Sequence, residues 1–294
     1  MPAILSKTET FASMPSVWPV ELKGRVKAGE VSSISLELIR RGGPDEVRKY
    51  LGGLPARTVC IGNAAALEDI DARAVAIRES GRRILIRSAA QIVAGLIASP
   101  PPQGAMAVLR SATPTGGAPL VVIGSFVPKT TGQLTHLLTN TDIARTELRV
   151  ASLLDPGTRS NAIVEALVEL HAALAARRGV VLYTSRELVT GSDAAQSLDI
   201  GNTVSAALIE IVKRLEIRPS ALVTKGGITS SDVATKGLGV KRARVLGQLL
   251  PGVPVWELGS ETKFPDMPYI VFPGNVGGPS ALTDAVYQLT TPSR

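Results

Sequence analysis

Glycine, hydroxyl side chains and lysine come together in three short segments of the sequence. They are GSFVPKTTGQ (Gly124–Gln133), TKGGITSSD (Thr224–Asp232) and PGNVGG (Pro273–Gly278), called the first, second and third loops. Glycine leaves backbone N–H groups uncovered, hydroxyls donate hydrogen bonds, and Lys129 and Lys225 supply positive charge. This combination is typical of a backbone cradle for phosphate groups, and three such loops would suit a triphosphate.

Each loop also has a purely structural interpretation. A loop between a strand and a helix uses glycine for turning and serine or threonine for capping, so one such loop indicates no function. Three of them in one half of the chain, two with a doubled glycine, favour a ligand. The third loop is the most specific, because Gly274, Gly277 and Gly278 surround Asn275, which is more glycine than a turn needs.

The residues around these loops predict an α/β fold. Short apolar runs rich in Val and Ile, such as PLVVIGSF and TELRVASLL, alternate with amphipathic stretches such as RSNAIVEALVELHAALAARRG. Residues 105–294 therefore predict a domain with a mainly parallel sheet flanked by helices, in which KRARVLGQLL and VPVWEL supply another pair of elements. Ligands of such sheets bind beyond the carboxyl ends of the strands, where all three loops are predicted to lie.

Residues 1–104 predict a smaller, truncated α/β domain. Helices are predicted over Ser32–Arg41 and Pro44–Leu51, a strand over ARTVCIGNA and a helix over LEDIDARAVAIRESG. RRILIRSAAQIVAGLIA is predicted to form a strand, a short turn and a helix. Three prolines in SPPPQG (Ser99–Gly104) cannot continue a helix and predict the linker between the two domains.

Composition and charge narrow the classes of partner. The net charge is +7, but the basic residues are scattered and aromatic residues make up only 3%, which argues against nucleic acid and favours small anions. Cys60 is the only cysteine, so an internal disulfide and a cysteine zinc cluster are excluded, and no metal site is predicted. The sequence contains no apolar run of about eighteen residues that would span a membrane. A cytoplasmic protein is therefore expected.

Three segments together resemble a known family. VVIGSFVPKTTGQL, VTKGGITSSDVATKGLG and YIVFPGNVGG resemble the nucleotide-binding half of the four-carbon acid sugar kinase family, from Leu120 to the C-terminus. A weaker resemblance over Leu22–Ala98, which includes RILIRSAAQIV, covers the end of that family's substrate-binding half. The resemblance implies transfer of the γ-phosphate of ATP, with Mg²⁺, to a hydroxyl of threonate, erythronate or an oxidised relative.

The resemblance also assigns residues to the two expected ligands. It implies that Arg87 and Ser88 belong to the acid-binding surface, with simple helix capping as the alternative. The implied nucleotide-binding residues are glycines, hydroxyl residues and one asparagine of the three loops: Gly124, Ser125, Thr131, Gly226, Gly227, Thr229, Ser230, Gly274, Asn275, Gly277 and Gly278.

The sequence departs from that family in its acid-binding half. Neither the Asp-Asp-x-Thr-Gly loop nor the Ser-Thr-x-Arg-Gly stretch of the family occurs in the 294 residues. Asp193 and Asp232 are weak substitutes for a catalytic base, and Asp232 is better explained as a helix-start residue. Two hypotheses follow: a kinase-family chain that is either truncated or completed by another polypeptide and either active or inactive alone, or a non-catalytic nucleotide or metabolite sensor or partner subunit. A homodimer is also expected.

Overall fold

The computed structural model describes residues 31–88, 90–98, 118–187 and 189–290. The chain divides into two compact units, Met1–Pro101 and Pro102–Arg294, called the N-terminal and C-terminal units and described separately. The predicted linker Ser99–Gly104 lies outside the described residues, so the domain boundary at residue 104 stays a prediction.

The N-terminal unit contains a two-stranded parallel sheet and helices among its described residues. Buried apolar side chains of β1, α1 and α2 form its core. Its elements are β1 (Val31–Ile34), α1 (Leu36–Gly53), β2 (Val59–Gly62), α2 (Leu67–Glu79) and α3 (Ala90–Leu96).

Two predictions for the N-terminal unit are wrong. The first residues of the predicted helix Ser32–Arg41 belong to strand β1, in which Ser32 pairs with Cys60 of β2. Helix α1 begins at Leu36 and is capped by Ser35, whose hydroxyl accepts the N–H of Leu38. The segment RRILIR forms no strand. A strand needs a neighbour for its backbone groups, and β1 and β2 are the only strands of this sheet within the described residues; Leu85 is 100% exposed.

The C-terminal unit contains a seven-stranded sheet in the order β4-β5-β3-β6-β9-β8-β7. The first five strands are parallel, whereas β8 is antiparallel to both β9 and β7, which confirms the mainly parallel α/β prediction. The elements are β3 (Leu120–Ile123), α4 (Pro128–Asn140), β4 (Ala144–Leu148), α5 (Val150–Leu154), α6 (Pro156–Ala175), β5 (Val180–Thr184), α7 (Ala194–Arg214), β6 (Leu222–Lys225), α8 (Gly227–Asp232), a π-helical turn (Val233–Gly237), β7 (Ala243–Leu250), β8 (Val253–Leu258), β9 (Pro268–Phe272) and α9 (Ala281–Thr290).

One further prediction needs correction in this unit. TELRVASLL is strand only as far as Leu148, and its second half is the short helix α5. The chain leaves the sheet here because the backbone N–H of Val150 is taken by the Ser185 hydroxyl at 3.0 Å, which ends the strand pairing. KRARVLGQLL and VPVWEL form an antiparallel hairpin, β7 and β8, at one edge of the sheet.

Helices cover both faces of the sheet, so the central strands β3 and β6 are buried along their whole length, whereas the edge strands β4 and β7 have exposed residues. Leu120 and Val122 of β3 pack with α6 and α7 on one face. Val121 and Ile123 of the same strand pack with α4 and α9 on the other. This two-sided burial explains the continuous apolar runs in the sequence.

The register of three adjacent strands brings the three loops to one edge of the sheet. Ile123 at the end of β3 is level with Lys225 at the end of β6, and Lys225 is level with Phe272 at the end of β9. The three strands β3, β6 and β9 therefore end side by side, and the three loops begin at this edge. Tyr183 of β5 is level with Ile123, so the loop between β5 and α7 leaves from the same edge.

Candidate functional site

Side-chain hydrogen bonds from helix α4 tie the first loop to the third. The Thr130 hydroxyl donates to the carbonyl of Gly274 at 3.3 Å. The amide of Gln133, which is fully buried, donates to the carbonyls of Val276 at 3.0 Å and Gly278 at 2.8 Å. The two loops are therefore one connected body, although they are more than 140 residues apart in the chain.

The second loop is joined through its backbone to the end of β9, directly before the third loop. The N–H of Gly226 donates to the carbonyl of Phe272 at 2.9 Å. The buried Ser230 hydroxyl lies 2.7 Å from the carbonyl of Gly226 and 3.0 Å from that of Thr224, so its single proton is shared between these two acceptors. Ser230, predicted as a nucleotide-binding residue, thus uses its hydroxyl to hold the loop itself together.

The predicted glycines fall into two groups according to what surrounds them. A Cβ on Gly124 would lie 2.5 Å from the Thr229 hydroxyl oxygen, and Gly226 has a φ of 112°. A Cβ on Gly277 (φ 82°) would lie 2.4 Å from the Cβ of Ala281. These three glycines are required by the packing and conformation of the protein itself.

Three other glycines leave backbone uncovered, as the sequence predicts for a cradle. A Cβ on Gly227 or on Gly278 would meet no heavy atom within 4 Å. A Cβ on Gly274 would make only ordinary contacts, the nearest being the Ser125 hydroxyl oxygen at 3.5 Å, and the neighbouring Asn275 is exposed. Bare backbone at the strand ends is therefore confined to Gly227 and the third loop.

Lys225 lies buried beneath the third loop. Its ammonium group donates to the carbonyl of Pro273 at 2.7 Å and lies 3.9 Å from the centre of the Phe272 ring. Burial, with a smaller contribution from the charge of Lys129, lowers the pKa of Lys225 from 10.5 to about 7. Within the described residues no carboxylate forms an ion pair with Lys225, so the ammonium group has a carbonyl and an aromatic ring beside it but no counter-charge.

Arg186, in the loop after β5, is a residue that the sequence analysis missed. One nitrogen of its guanidinium group, Nη2, donates to the carbonyl of Ser125 and to the Thr131 hydroxyl, both at 2.8 Å. It therefore touches two predicted nucleotide-binding residues of the first loop. The only signal in the sequence was a basic residue directly after an apolar strand, in VVLYTSR.

The two carboxylates considered as bases are engaged in helix structure. Asp232 forms an ion pair with Lys236 at 2.8 Å and accepts from the Ser205 hydroxyl at 3.0 Å, and the bond to Lys236 is the main cause that lowers its pKa. Asp193 caps α7 by accepting the N–H of Gln196. No group of three His, Cys, Asp or Glu residues suited to a metal ion occurs in the described ranges.

The predicted acid-binding residues belong to the other unit. Arg87 and Ser88 are exposed, in the irregular segment before α3 of the N-terminal unit. Their assignment to the acid sugar stays a prediction. In the parts of the chain that the structure describes, no helix has the length and apolar character needed to cross a membrane.

The family of the C-terminal unit follows from a match to a family model. Residues 120–282 match the family described as "Nucleotide-binding C-terminal domain". The match covers more than half of the chain, begins at β3, includes all three loops and ends in α9. The C-terminal unit is thus a nucleotide-binding domain. The chain belongs to this family, and the resemblance to the nucleotide-binding half of the four-carbon acid sugar kinase family is confirmed.

Solved structures with a similar fold come from three bacteria. A protein of Salmonella typhimurium LT2, provisionally described as a tRNA synthase, has a TM-score of 0.56 at 18% identity over 87% of this chain and 59% of its own. A DUF1537 protein of Haemophilus influenzae has a TM-score of 0.53 at 19% identity, over 88% and 60%. A DUF1537 domain of Bordetella bronchiseptica, a domain-swapped dimer with bound citrate, has a TM-score of 0.50 at 18% identity, over 91% and 61%.

These likenesses show the fold alone, because the identities are low. The chain spans about three fifths of the length of each of the three proteins. No curated protein matches the chain significantly.

Proposed function

We propose that the C-terminal unit binds ATP at the edge formed by the three loops, and that the chain takes part in transferring the γ-phosphate to a hydroxyl of a four-carbon acid sugar. The observation that carries this proposal is Lys225, a buried cation without a carboxylate partner among the described residues, directly beneath uncovered backbone. A buried charge without a counter-charge is unfavourable, and an anionic ligand in the loops above it would offset that cost.

The proposed roles of the individual residues follow from their surroundings. The backbone at Gly227, Gly274 and Gly278 is open to a close ligand, whereas Gly124, Gly226 and Gly277 shape the loops that present it. We assign Ser125, Thr131 and Asn275 to polar contacts with the nucleotide, because they lie on or beside the same loops. Thr229 packs over Gly124 and Ser230 holds the second loop, so both act by positioning.

Mg²⁺ is proposed as the companion of the nucleotide. Magnesium in such sites is usually held by one or two carboxylates together with the substrate phosphates, not by a dedicated protein cage. Among the described residues no group of three His, Cys, Asp or Glu is suited to a metal ion, so this proposal rests on the nucleotide phosphates as ligands. When bound, the ion would neutralise part of the phosphate charge, and the three loops would hold the phosphate chain in position for transfer.

Nucleotide binding without turnover is the second candidate, and a specific observation favours it. Asp193 and Asp232, the carboxylates considered as bases, are a helix cap and an ion-pair partner. Turnover would then need an acceptor site completed by other residues. Arg87 and Ser88, a second copy of this chain in a homodimer, or a separate chain are the proposed sources. A metabolic kinase using ATP would act in the cytoplasm, which is the proposed compartment.

Two measurements on the same protein separate the candidates. A nucleotide that binds only the folded state raises the free energy of unfolding by about 2.7 kcal/mol at a hundred times its dissociation constant. A thermal-shift titration with ATP and Mg²⁺ should therefore raise the melting temperature, and no shift at millimolar ATP would refute binding. A coupled ADP-release assay with threonate and erythronate then tests turnover, and release that depends on the acid supports the kinase over the sensor.

A further inference from the structure

The loop between β5 and α7 is a fourth loop at the site, and Arg186 is its functional residue. The preceding residue is held by two hydrogen bonds: the N–H of Ser185 donates to the carbonyl of Leu148 at the end of β4, and its hydroxyl accepts from the N–H of Val150 at the start of α5, both at 3.0 Å. Because its neighbour is anchored in this way, Arg186 projects from a rigid support. The guanidinium group then reaches the first loop at Ser125.

Most of the hydrogen-bonding capacity of this guanidinium group is not used by the protein. Nη2 makes both of its bonds, to Ser125 and Thr131. Nε and Nη1 are shielded from solvent and have no hydrogen-bond partner among the described residues. Three N–H groups of a permanently charged side chain therefore lack an acceptor, and each shielded donor without an acceptor destabilises the protein.

The surrounding charges do not compensate Arg186 either. No carboxylate in the described ranges forms an ion pair with it. The ionisable group that acts on the pKa of Arg186 is Tyr183, whose phenol is uncharged near pH 7 at its ordinary pKa, and burial raises that pKa further. An arginine with a purely structural role normally binds a carboxylate or donates to several carbonyls. The two hydrogen bonds to the first loop therefore do not explain these unused donors.

We infer that Arg186 is an anion-binding residue that contacts phosphate oxygens of the nucleotide's polyphosphate chain at the edge of the three loops. This inference depends on the proposed function and identifies a cation that recognises the ligand. An oxygen of the phosphate chain accepts from the N–H groups that the protein leaves without partners, and its charge offsets that of the guanidinium group. For this contact the guanidinium group must rotate, because Nε and Nη1 are shielded from solvent in the structure.

The test compares the affinities of ATP, ADP, AMP and adenosine for Arg186→Gln, Arg186→Lys and the wild type, measured by isothermal titration calorimetry. A charge-assisted contact to phosphate should weaken ATP binding about 10- to 100-fold in Arg186→Gln and leave adenosine binding within about twofold. Arg186→Lys keeps the charge without the planar fork and should recover part of the loss. Circular dichroism and melting temperatures without nucleotide establish that the variants fold.

Arg178→Gln is the matched control. Arg178 precedes β5, at the opposite end of the strand, is exposed, and donates to the carbonyl of Asp142. Its replacement removes the same charge and should leave every affinity unchanged. An equal loss for adenosine and ATP in Arg186→Gln would mean that Arg186 only shapes the site, and an unchanged ATP affinity would also overturn the inference. If the wild type binds none of the four compounds, the proposed function itself fails.

Discussion

The buried ammonium group of Lys225 should make the stability of the protein depend on pH. In the folded chain its pKa is lowered to about 7, mainly by burial and secondarily by Lys129, whereas the ordinary value for a lysine is 10.5. Between these two values the unfolded chain holds the proton and the folded chain releases it. The free energy of unfolding therefore rises with pH over this window and becomes independent of Lys225 below about pH 7.

The size of the effect follows from the shift of the pKa. Integrated from pH 7 to pH 9, a single site with these two pKa values raises the free energy of unfolding by about 2 kcal/mol. Lys225→Met removes the titrating group and keeps an unbranched apolar stem next to Phe272. The variant should therefore lack this rise, whatever its stability at pH 7 where the hydrogen bond to Pro273 is lost.

Urea unfolding of both proteins at pH 7, 8 and 9 measures the difference directly. The change in free energy of unfolding between pH 7 and pH 9 should be about 2 kcal/mol larger in the wild type than in Lys225→Met. Lys263→Met is the matched control, because Lys263 also donates to a backbone carbonyl but is exposed, and it should keep the wild-type rise. Equal pH dependence in the wild type and Lys225→Met would refute the burial of this charge.

Four further substitutions test local packing in the C-terminal unit, each by urea unfolding at one pH. Gly277→Ala should lower the free energy of unfolding by more than about 1 kcal/mol, because Gly277 has a φ of 82° and a Cβ there would collide with Ala281, whereas Gly278→Ala should not destabilise the protein. Equal effects would contradict the two groups of glycines. Gln133→Leu should cost about 1 to 3 kcal/mol, because two loop carbonyls lose their donor, and a smaller loss would show that these bonds contribute little. Gly201→Ala should add about 0.5 to 1 kcal/mol, since Gly201 is exposed within α7 with open space around it, and a loss would contradict that environment.

The fold of the C-terminal unit could be predicted because its central strands, such as β3 and β5, are buried on both faces. Such strands are continuous apolar runs in the sequence, and the sheet register then brings the loops that follow β3, β6 and β9 to one edge. The N-terminal unit was harder, because VSSI is polar and short, and RRILIR has a strand-like composition without a neighbouring strand. Strand formation depends on a partner that local composition does not reveal.

The site could be predicted as a set of loops but not as a set of contacts. The glycine count of the third loop indicated bare backbone, yet only tertiary packing shows that Gly277 is needed for its φ while Gly278 faces open space. Gln133 and Arg186 were missed because their roles depend on carbonyls far away in the chain. The sequence predicts Ser230 as a ligand contact because it does not show which group accepts the proton of this hydroxyl.

The central claim is that uncovered backbone of the third loop receives a nucleotide, and one calorimetric comparison tests it most directly. ATP with Mg²⁺ is titrated into the wild type and into Gly278→Val, whose side chain would enter space that is empty within 4 Å of a Cβ at this position. The account predicts binding by the wild type and a loss of at least about tenfold in the variant at an unchanged melting temperature. Equal affinities in the two proteins, or no binding by the wild type, would contradict it.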